Sequence, residues 1–400
     1  MPAQKIIIVG GGNAGLSVAA QLLKKDSSLQ IFIIDPSEKH YYQPAWTLVG
    51  AGIFDINKTV RNESDYIPKG TTWIKDAVET FLPEENKVVC KSGKTYGYDA
   101  MVVCPGIQLN WNKIKGFKET LGKNNVSSNY SFDIAPYTWQ MIKNFEGGTA
   151  VFTNPVGPVK CGGAPHKIMY LACDYWKKKG ILDKCNVHYL SGAGVIFDIK
   201  EYAETLTKLI SHVNIKPHFG VNVNAIDGEK KTVCYEEKNK DGVVEQKEMK
   251  FDICHAVPPQ SAPDFIRNSP LSDLNNPFGF VEINKATMQH TRYANIFALG
   301  DCINAPAKKT GAAIRKQAPV VVQNILAVLS DQQVTAEYSG YSACPIPTQY
   351  GKLMLAEFDY SNTPKMTFPF DQVKPRWSMW ILKTKVLPWL YWNKILKGTA

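Results

Sequence analysis

No apolar stretch in this chain approaches the roughly 20 residues that a membrane-spanning helix needs, which excludes a helical integral membrane protein. No CxxC pair occurs, and the nine cysteines are an odd number without framework spacing. A disulfide scaffold is therefore not expected, and mostly free thiols in a reducing compartment fit better. Zinc-finger spacing, an RNP motif and an Arg-rich arm are all missing, so no metal and no nucleic acid are expected. The net charge of +10, from 46 Lys and Arg against 36 Asp and Glu, then points to another anionic partner, a lipid or a substrate. There is no tandem repeat and no low-complexity segment. The first strand-like run begins at Lys5, which leaves no room for a signal or transit peptide. For a chain starting at a native Met1, the expectation is synthesis and retention in the cytoplasm.

What is present is long enough for two or three domains, at 400 residues. Short β-branched runs alternate with helical patterns, which favours parallel sheets and an α/β class. KIIIVGGGNAGLSVAAQLLKKDSSLQIFIID (5–35) reads strand, glycine turn, helix, strand. Within it, Gly10-Gly11-Gly12-Asn13-Ala14-Gly15 matches G-x-G-x-x-G, with Asp35 about 20 residues further on. The glycines let backbone approach a pyrophosphate, the helix N-terminus faces its charge, and Asp35 can accept from a ribose hydroxyl. A second glycine turn, Gly192-Ala193-Gly194, has Phe197 where the third glycine would stand, so no NAD(P)H site is expected there. YANIFALGDCIN (293–304) ends a further strand on Gly300-Asp301. In two-dinucleotide-domain flavoproteins a carboxylate at this place meets the ribityl chain. The helix after it can aim its N-terminus at the flavin's pyrimidine edge. Together with the N-terminal fingerprint, this favours FAD over NAD in the first site.

GPVKCGGAPHK (157–167) places Cys161 between two turn-forming steps at a helix entrance, with Lys160, His166 and Lys167 close in sequence. Cys344 lies in the similarly turn-rich SACPIP (342–347). A thiol at a helix N-terminus beside cations has a depressed pKa, and its thiolate attacks sulfur or a flavin. On spacing alone, two unrelated loop cysteines remain the other reading. Cys90, Cys173, Cys185, Cys234 and Cys254 fall in strand or helix patterns and read as packing residues. Cys104 and Cys302 neighbour the nucleotide turns without an assigned role.

Longer segments follow the fingerprint in order along nearly the whole chain. They are HYYQPAWTLVGAG (40–52), KCGGAPHKIMYL (160–171), HAVPPQSAPDF (255–265), FALGDCINAPAKKTGAA (297–313), YSACPIPTQYGKLMLAEFDY (341–360) and TFPFDQVKPRWSM (367–379). On these segments the chain resembles the sulfide:quinone oxidoreductases, particularly the branch holding the mitochondrial enzyme and its bacterial relatives, within the FAD-dependent pyridine nucleotide-disulfide oxidoreductase superfamily. The resemblance implies two Rossmann-like dinucleotide-binding domains of glutathione-reductase-like fold with a C-terminal membrane-associating segment. Residues 1–115 and 266–335 would form the two parts of the FAD-binding domain. Residues 116–265 would form the second Rossmann-like domain, and 336–400 the quinone and membrane interface.

The resemblance also implies FAD bound by Gly10, Gly12, Asn13, Ala14, Gly15 and Asp35, by Gln43 and Pro44, and by Gly300, Asp301, Lys309 and Thr310. Cys161 and Cys344 would be a redox pair on opposite sides of one flavin face, oxidising hydrogen sulfide to a persulfide. Electrons would pass through FAD to membrane quinone, and the sulfane sulfur to glutathione, coenzyme A, sulfite or sulfide. Residues 105–160 contain no cysteine, which departs from the three-cysteine polysulfide mechanism of some bacterial branches. Cys104 stands where a small residue is usual.

KPRWSMWILKTKVLPWLYWNKILKG (374–398) carries four of the nine tryptophans and six Lys or Arg with no acid. Tryptophans interleaved with cations suit a monotopic anchor over 375–398, with Pro388 expected to break it into two short helices. The alternative is an amphipathic helix packed on the protein's own core. The expected location is the cytoplasmic face of a bacterial inner membrane, or the mitochondrial inner membrane in a eukaryote. Tyr42, Gln43, Pro44 and Trp46, with Lys309 or Thr310, are candidates to line a quinone channel. Two other functions stand beside the main one. A type II NADH:quinone dehydrogenase would need an intact second glycine turn. A flavin-binding redox sensor or sulfur carrier would not need the anchor.

Overall fold

The computed structural model describes residues 3–400. The chain opens with strand Lys5–Val9 (β1), helix Asn13–Lys25 (α1) and strand Gln30–Ile34 (β2). β1 is the middle strand of a five-stranded parallel sheet, flanked by β2 and by Ala100–Val103. Thr71–Ile74 and Ile296–Ala298 form its two edges. The strands at its centre are nearly continuous runs of Ile, Val, Met and Ala because both faces are covered, as a parallel sheet requires. On one face, helix Gly311–Leu329 packs against α1. Segments almost 300 residues apart thus share one sheet, and the loops at the C-terminal ends of its strands converge.

A second parallel sheet runs in the order Val126–Ser127, Ile253–His255, Gly148–Asn154, Cys185–Ser191, Lys216–Phe219. Helices Ala164–Lys179 and Lys200–His212 share its apolar core, around Trp176, Tyr189 and Tyr202. A charged hairpin, Thr232–Lys238 paired with Val244–Lys250, precedes His255.

An antiparallel hairpin, Ser342–Gln349 with Lys352–Phe358, packs on helix Ala164–Lys179 and so brings Cys344 to the segment that carries Cys161. Residues 377–395 then form one helical run in which α and π turns alternate: Trp377–Ile381, Leu382–Val386, Leu387–Leu390 and Tyr391–Ile395. The break expected at Pro388 does not occur. Pro388 lies in the first turn of an α segment immediately after a π turn, and a register change is where a missing amide costs least. Among the described residues, no helix is long and apolar enough to cross a membrane.

Candidate active site

The glycine turn after β1 is built by close approach. Gly10 has φ +109°, and a Cβ there would lie 2.7 Å from the Cys104 carbonyl oxygen. A Cβ at Gly15 would overlap the Gly10 carbonyl oxygen, so Gly15 seats α1 against the strand and stays out of the cavity. A Cβ at Gly12 would meet nothing within 4 Å, because Gly12 faces a cavity of about 690 Å³. Gly10, Gly12, Asn13, Ala14 and Asp35 line one end of it. Gly300, Asp301, Lys309 and Thr310 line it as well, and so do Tyr42, Gln43, Pro44, Trp46, Leu387 and Leu390.

The polar groups of this cavity are already partly committed. The two carboxylate oxygens of Asp35 accept from Gly11 N (2.6 Å) and Ser37 N (2.7 Å). Thr310 caps helix Gly311–Leu329, its hydroxyl accepting from Ala313 N and bonding the Ser342 hydroxyl at 2.9 Å. Lys309 Nζ donates to the Ile303 carbonyl and sits 3.6 Å from the Phe280 ring centroid, with burial lowering its pKa to about 8. Burial raises the Asp301 carboxyl, against the opposing pull of Lys309 and Lys160. Gln43 accepts from Lys160 Nζ at 2.6 Å, and the Pro44 carbonyl from Lys383 Nζ at 2.9 Å.

These residues fit FAD. The open cradle at Gly12 and the N-terminus of α1 suit a pyrophosphate, and Asn13 Oδ1 is a buried acceptor without a protein partner. Asp301 is a buried carboxyl in the cavity's lining, where a polyol chain supplies hydroxyl donors.

Cys161 sits at the boundary of this cavity in the left-handed region, φ +55°, a conformation that non-glycine residues rarely hold without support. The support is backbone: its N–H donates to the Lys309 carbonyl at 2.6 Å, and its own carbonyl accepts from Ala164 N as helix Ala164–Lys179 begins. The Cys161 and Cys344 Sγ atoms are 3.9 Å apart, and Lys167 Nζ donates to Cys161 Sγ at 2.9 Å. The neighbouring Cys344 thiol and the Lys167 and Lys383 ammoniums hold Cys161 well below an ordinary thiol. The same contact raises Cys344 well above one, since a second thiolate would face the first. The pair is therefore unequal, with Cys161 the more readily ionised sulfur and Cys344 the less. His166, next to Lys167, has both ring nitrogens buried without partners, and burial lowers it to about 3, so it is neutral.

Cys344 lines a second cavity of about 410 Å³, with Gly162, Gly163, Val195, Phe197, Asp198 and Lys308. This cavity lies at the incomplete second glycine turn, and Asp198 pairs with Lys308 in its wall. Cys161 lines the first cavity and Cys344 the second, so the sulfur pair is the partition between them.

The other cysteines are separate from this chemistry. Cys104 and Cys302 are buried, their sulfurs against the Gly10 and Val103 carbonyls at 3.6 and 3.3 Å. Burial raises both, Cys302 to about 12. Cys90, Cys173 and Cys254 are buried, and Cys185 and Cys234 are half-buried; all are raised by burial. Among the described residues, no cluster of three or more His, Cys, Asp or Glu could hold a metal. Sequence reasoning missed Lys383, which reaches the pair from 222 residues after Cys161, and Glu63, which lines the cavity beside Asp35. Lys167 was legible as a cation one helical entry away from Cys161.

Residues 4–134 match the family model described as pyridine nucleotide-disulphide oxidoreductase. The chain is 45% identical to a mitochondrial sulfide:quinone oxidoreductase of Dictyostelium discoideum, over 98% of this chain and 86% of that one. It is 38% identical to the mitochondrial sulfide:quinone oxidoreductase of Mus musculus, with the same coverage. Among solved structures, the sulfide:quinone oxidoreductase of Aquifex aeolicus superposes with a TM-score of 0.84 at 20% identity, over 99% of this chain and 92% of that one.

Proposed function

The chain belongs to the sulfide:quinone oxidoreductase family and is an FAD-dependent oxidoreductase, and from that premise we propose that Cys161 and Cys344 are its redox pair and that its two cavities serve separate substrates. The observation that carries this reading is the 3.9 Å approach of two sulfurs at the wall between the cavities, one hydrogen-bonded by Lys167.

In the oxidised state the pair is joined, directly or through a bridging sulfur. Sulfide arriving in the smaller cavity attacks the Cys344 sulfur, leaving a persulfide on Cys344. Cys161 departs as a thiolate from a direct disulfide, or as a persulfide anion where a sulfur bridged the pair, the anion being stabilised by Lys167 and Lys383. An acceptor thiol, sulfite or second sulfide then takes the outer sulfur through the same cavity, leaving the Cys344 thiolate. As the sulfurs rejoin an electron pair is released, for which bound FAD would supply the two-electron acceptor and the donor to quinone. Gly10, Gly12, Asn13, Ala14 and Asp35 would hold its ADP half, with Gly15 holding the turn in shape. Gly300, Asp301, Gln43 and Pro44 would hold its flavin half, with Lys309 and Thr310 fixing the Cys161 backbone and the hairpin. With His166 neutral, Lys167 is the cation hydrogen-bonded to the sulfurs among the described residues.

Quinone would enter at the apolar end, between the Tyr42–Trp46 loop and Leu387 and Leu390. The surface of residues 375–398 exposes Trp377, Lys385, Val386, Trp389, Lys394 and Lys397 on the outer side of the helical run. That is the composition of a monotopic membrane face. We assign residues 1–115 and 266–335 to one FAD-binding domain, 116–265 to a second Rossmann-like domain and 336–400 to the quinone and membrane interface. A type II NADH:quinone dehydrogenase is not favoured: Phe197 stands at the third-glycine place of the second turn.

The test is anaerobic mixing of purified protein with sulfide or with NADH, followed by quinone. Sulfide should bleach the flavin absorbance and quinone restore it. Bleaching by NADH and not by sulfide would overturn the reading.

A further inference from the structure

Beside the glycine turn lies a polar cluster that the sulfur and quinone chemistry does not use. Glu63 is 2% exposed, and its Oε1 is buried without a hydrogen-bond partner. That oxygen is aimed at the turn: a Cβ on Gly11 would lie 2.9 Å from Glu63 Oε1 and 3.1 Å from Asp35 Cβ. The two carboxylates therefore flank Gly11, but they are not equivalent. Each Asp35 oxygen already takes a backbone N–H, from Gly11 and from Ser37. The uncommitted carboxylate oxygen at this end of the cavity belongs to Glu63.

The other Glu63 oxygen is held from behind. Glu63 Oε2 is 2.9 Å from His40 Nδ1, and His40 Nε2 is 2.6 Å from the Tyr391 hydroxyl. In the neutral tautomer whose Nδ1–H donates to the Glu63 carboxylate, Nε2 accepts from the Tyr391 O–H. Tyr391 stays a donor, because burial raises its pKa well above an ordinary phenol. Tyr391 and Trp392 form the buried side of the helical run whose outer side exposes Trp389. Trp392 is further clamped by Tyr66 at 5.0 Å and by Arg61 at 5.4 Å.

We propose that Glu63 binds an adenosine ribose hydroxyl of the cofactor, and that Tyr391, acting through His40, positions it, so that the seating of the C-terminal segment sets how tightly the cofactor is held. A carboxylate oxygen repels phosphate and takes hydroxyl donors. The hydroxyls belonging to the ADP half, which the glycine turn and Asp35 would hold, are those of the ribose. A charge-assisted hydrogen bond from a buried site is among the stronger single contacts available. The inference rests on the FAD reading and extends it: Glu63 and Tyr391 are 328 residues apart, so cofactor retention would report whether the C-terminal run is docked.

The experiment is FAD release from diluted holoenzyme, followed by the rise in free-flavin fluorescence, with FAD and with analogues lacking the adenosine 2′- or 3′-hydroxyl. Glu63→Gln should speed release about tenfold or more, and Tyr391→Phe about fivefold, as loss of a charged and a neutral hydrogen bond respectively. The double variant should match Glu63→Gln alone, since Tyr391 acts through Glu63. One of the deoxy analogues should leave the unsubstituted protein faster than FAD does, yet leave Glu63→Gln at the rate of FAD. Unchanged release from Glu63→Gln overturns the proposal, and additive effects overturn the positioning role of Tyr391. Should Glu63→Gln fail to fold, equal release of FAD and both analogues from the unsubstituted protein overturns the proposal in its place. Sulfide bleaching of the flavin still bound reads the sulfur chemistry separately, so failure of one is distinguishable from failure of the other.

Discussion

After the contact with Cys344 itself, Lys167 is the residue that most lowers the Cys161 thiol. Its ammonium is 2.9 Å from Cys161 Sγ, and an opposite charge this close shifts a pKa by about 1–3 units. The sign follows: with the Cys161 pKa lowered, its thiolate persists as pH falls below the ordinary thiol range. Lys167→Met should therefore move the pH midpoint of Cys161 alkylation upward by about 1–3 units, measured as iodoacetamide rate against pH with peptide mapping. A midpoint that does not move would mean that the helix entrance and Lys383 hold the thiolate without it. Cys161→Ser and Cys344→Ser should each abolish sulfide-driven quinone reduction while FAD absorbance is retained. Turnover surviving in either would remove that residue from the pair.

Two elements carry the site's geometry, the strand–turn–helix at the N-terminus and the helical run at the C-terminus. In the first, a Cβ at Gly15 would overlap the Gly10 carbonyl, so α1 could no longer seat against the turn that faces the cavity. Gly15→Ala is expected to yield a folded protein that purifies without flavin, measured as the ratio of flavin to protein absorbance. In the second, Trp377 and Trp389 are 66% and 55% exposed while Tyr391 and Trp392 are buried. One face of that segment packs on the protein, and the exposed face is the one we propose for a lipid surface. Burying a large apolar side chain contributes roughly 1.5–3 kcal/mol. Replacing both exposed tryptophans by Ala should weaken binding to anionic vesicles by at least about tenfold in a sedimentation assay, with the far-UV circular dichroism unchanged.

At the scale of the molecule, the sulfur pair exists only because three distant stretches meet. The Lys309 carbonyl holds the Cys161 amide, and the hairpin Ser342–Gln349 with Lys352–Phe358 delivers Cys344 across 183 residues of sequence. Mild oxidation of the native protein with diamide should therefore join Cys161 to Cys344 ahead of any other pair among the nine cysteines. Oxidation after unfolding should give mixed pairings by mass mapping, and mixed pairings from the native state would contradict the geometry. The nucleotide turn and the parallel-sheet class were legible in the sequence because each depends on local chemistry, backbone freedom at glycine and alternating apolar runs, whereas spacing left Cys161 and Cys344 open as unrelated loop cysteines and only the family resemblance paired them. Pro388 departs from its expectation because the rule that proline ends a helix assumes α geometry, and here π turns absorb the missing amide. Lys383, Glu63, His40 and Tyr391 carried no local signal, since a charge or hydroxyl acquires a partner only when packing removes water from around both. The sequence by itself determined which groups could react and which turns could cradle a dinucleotide. Only the tertiary structure decided which cysteine keeps the negative charge and which carboxylate is left free, because both depend on distances between segments that the chain's order does not encode.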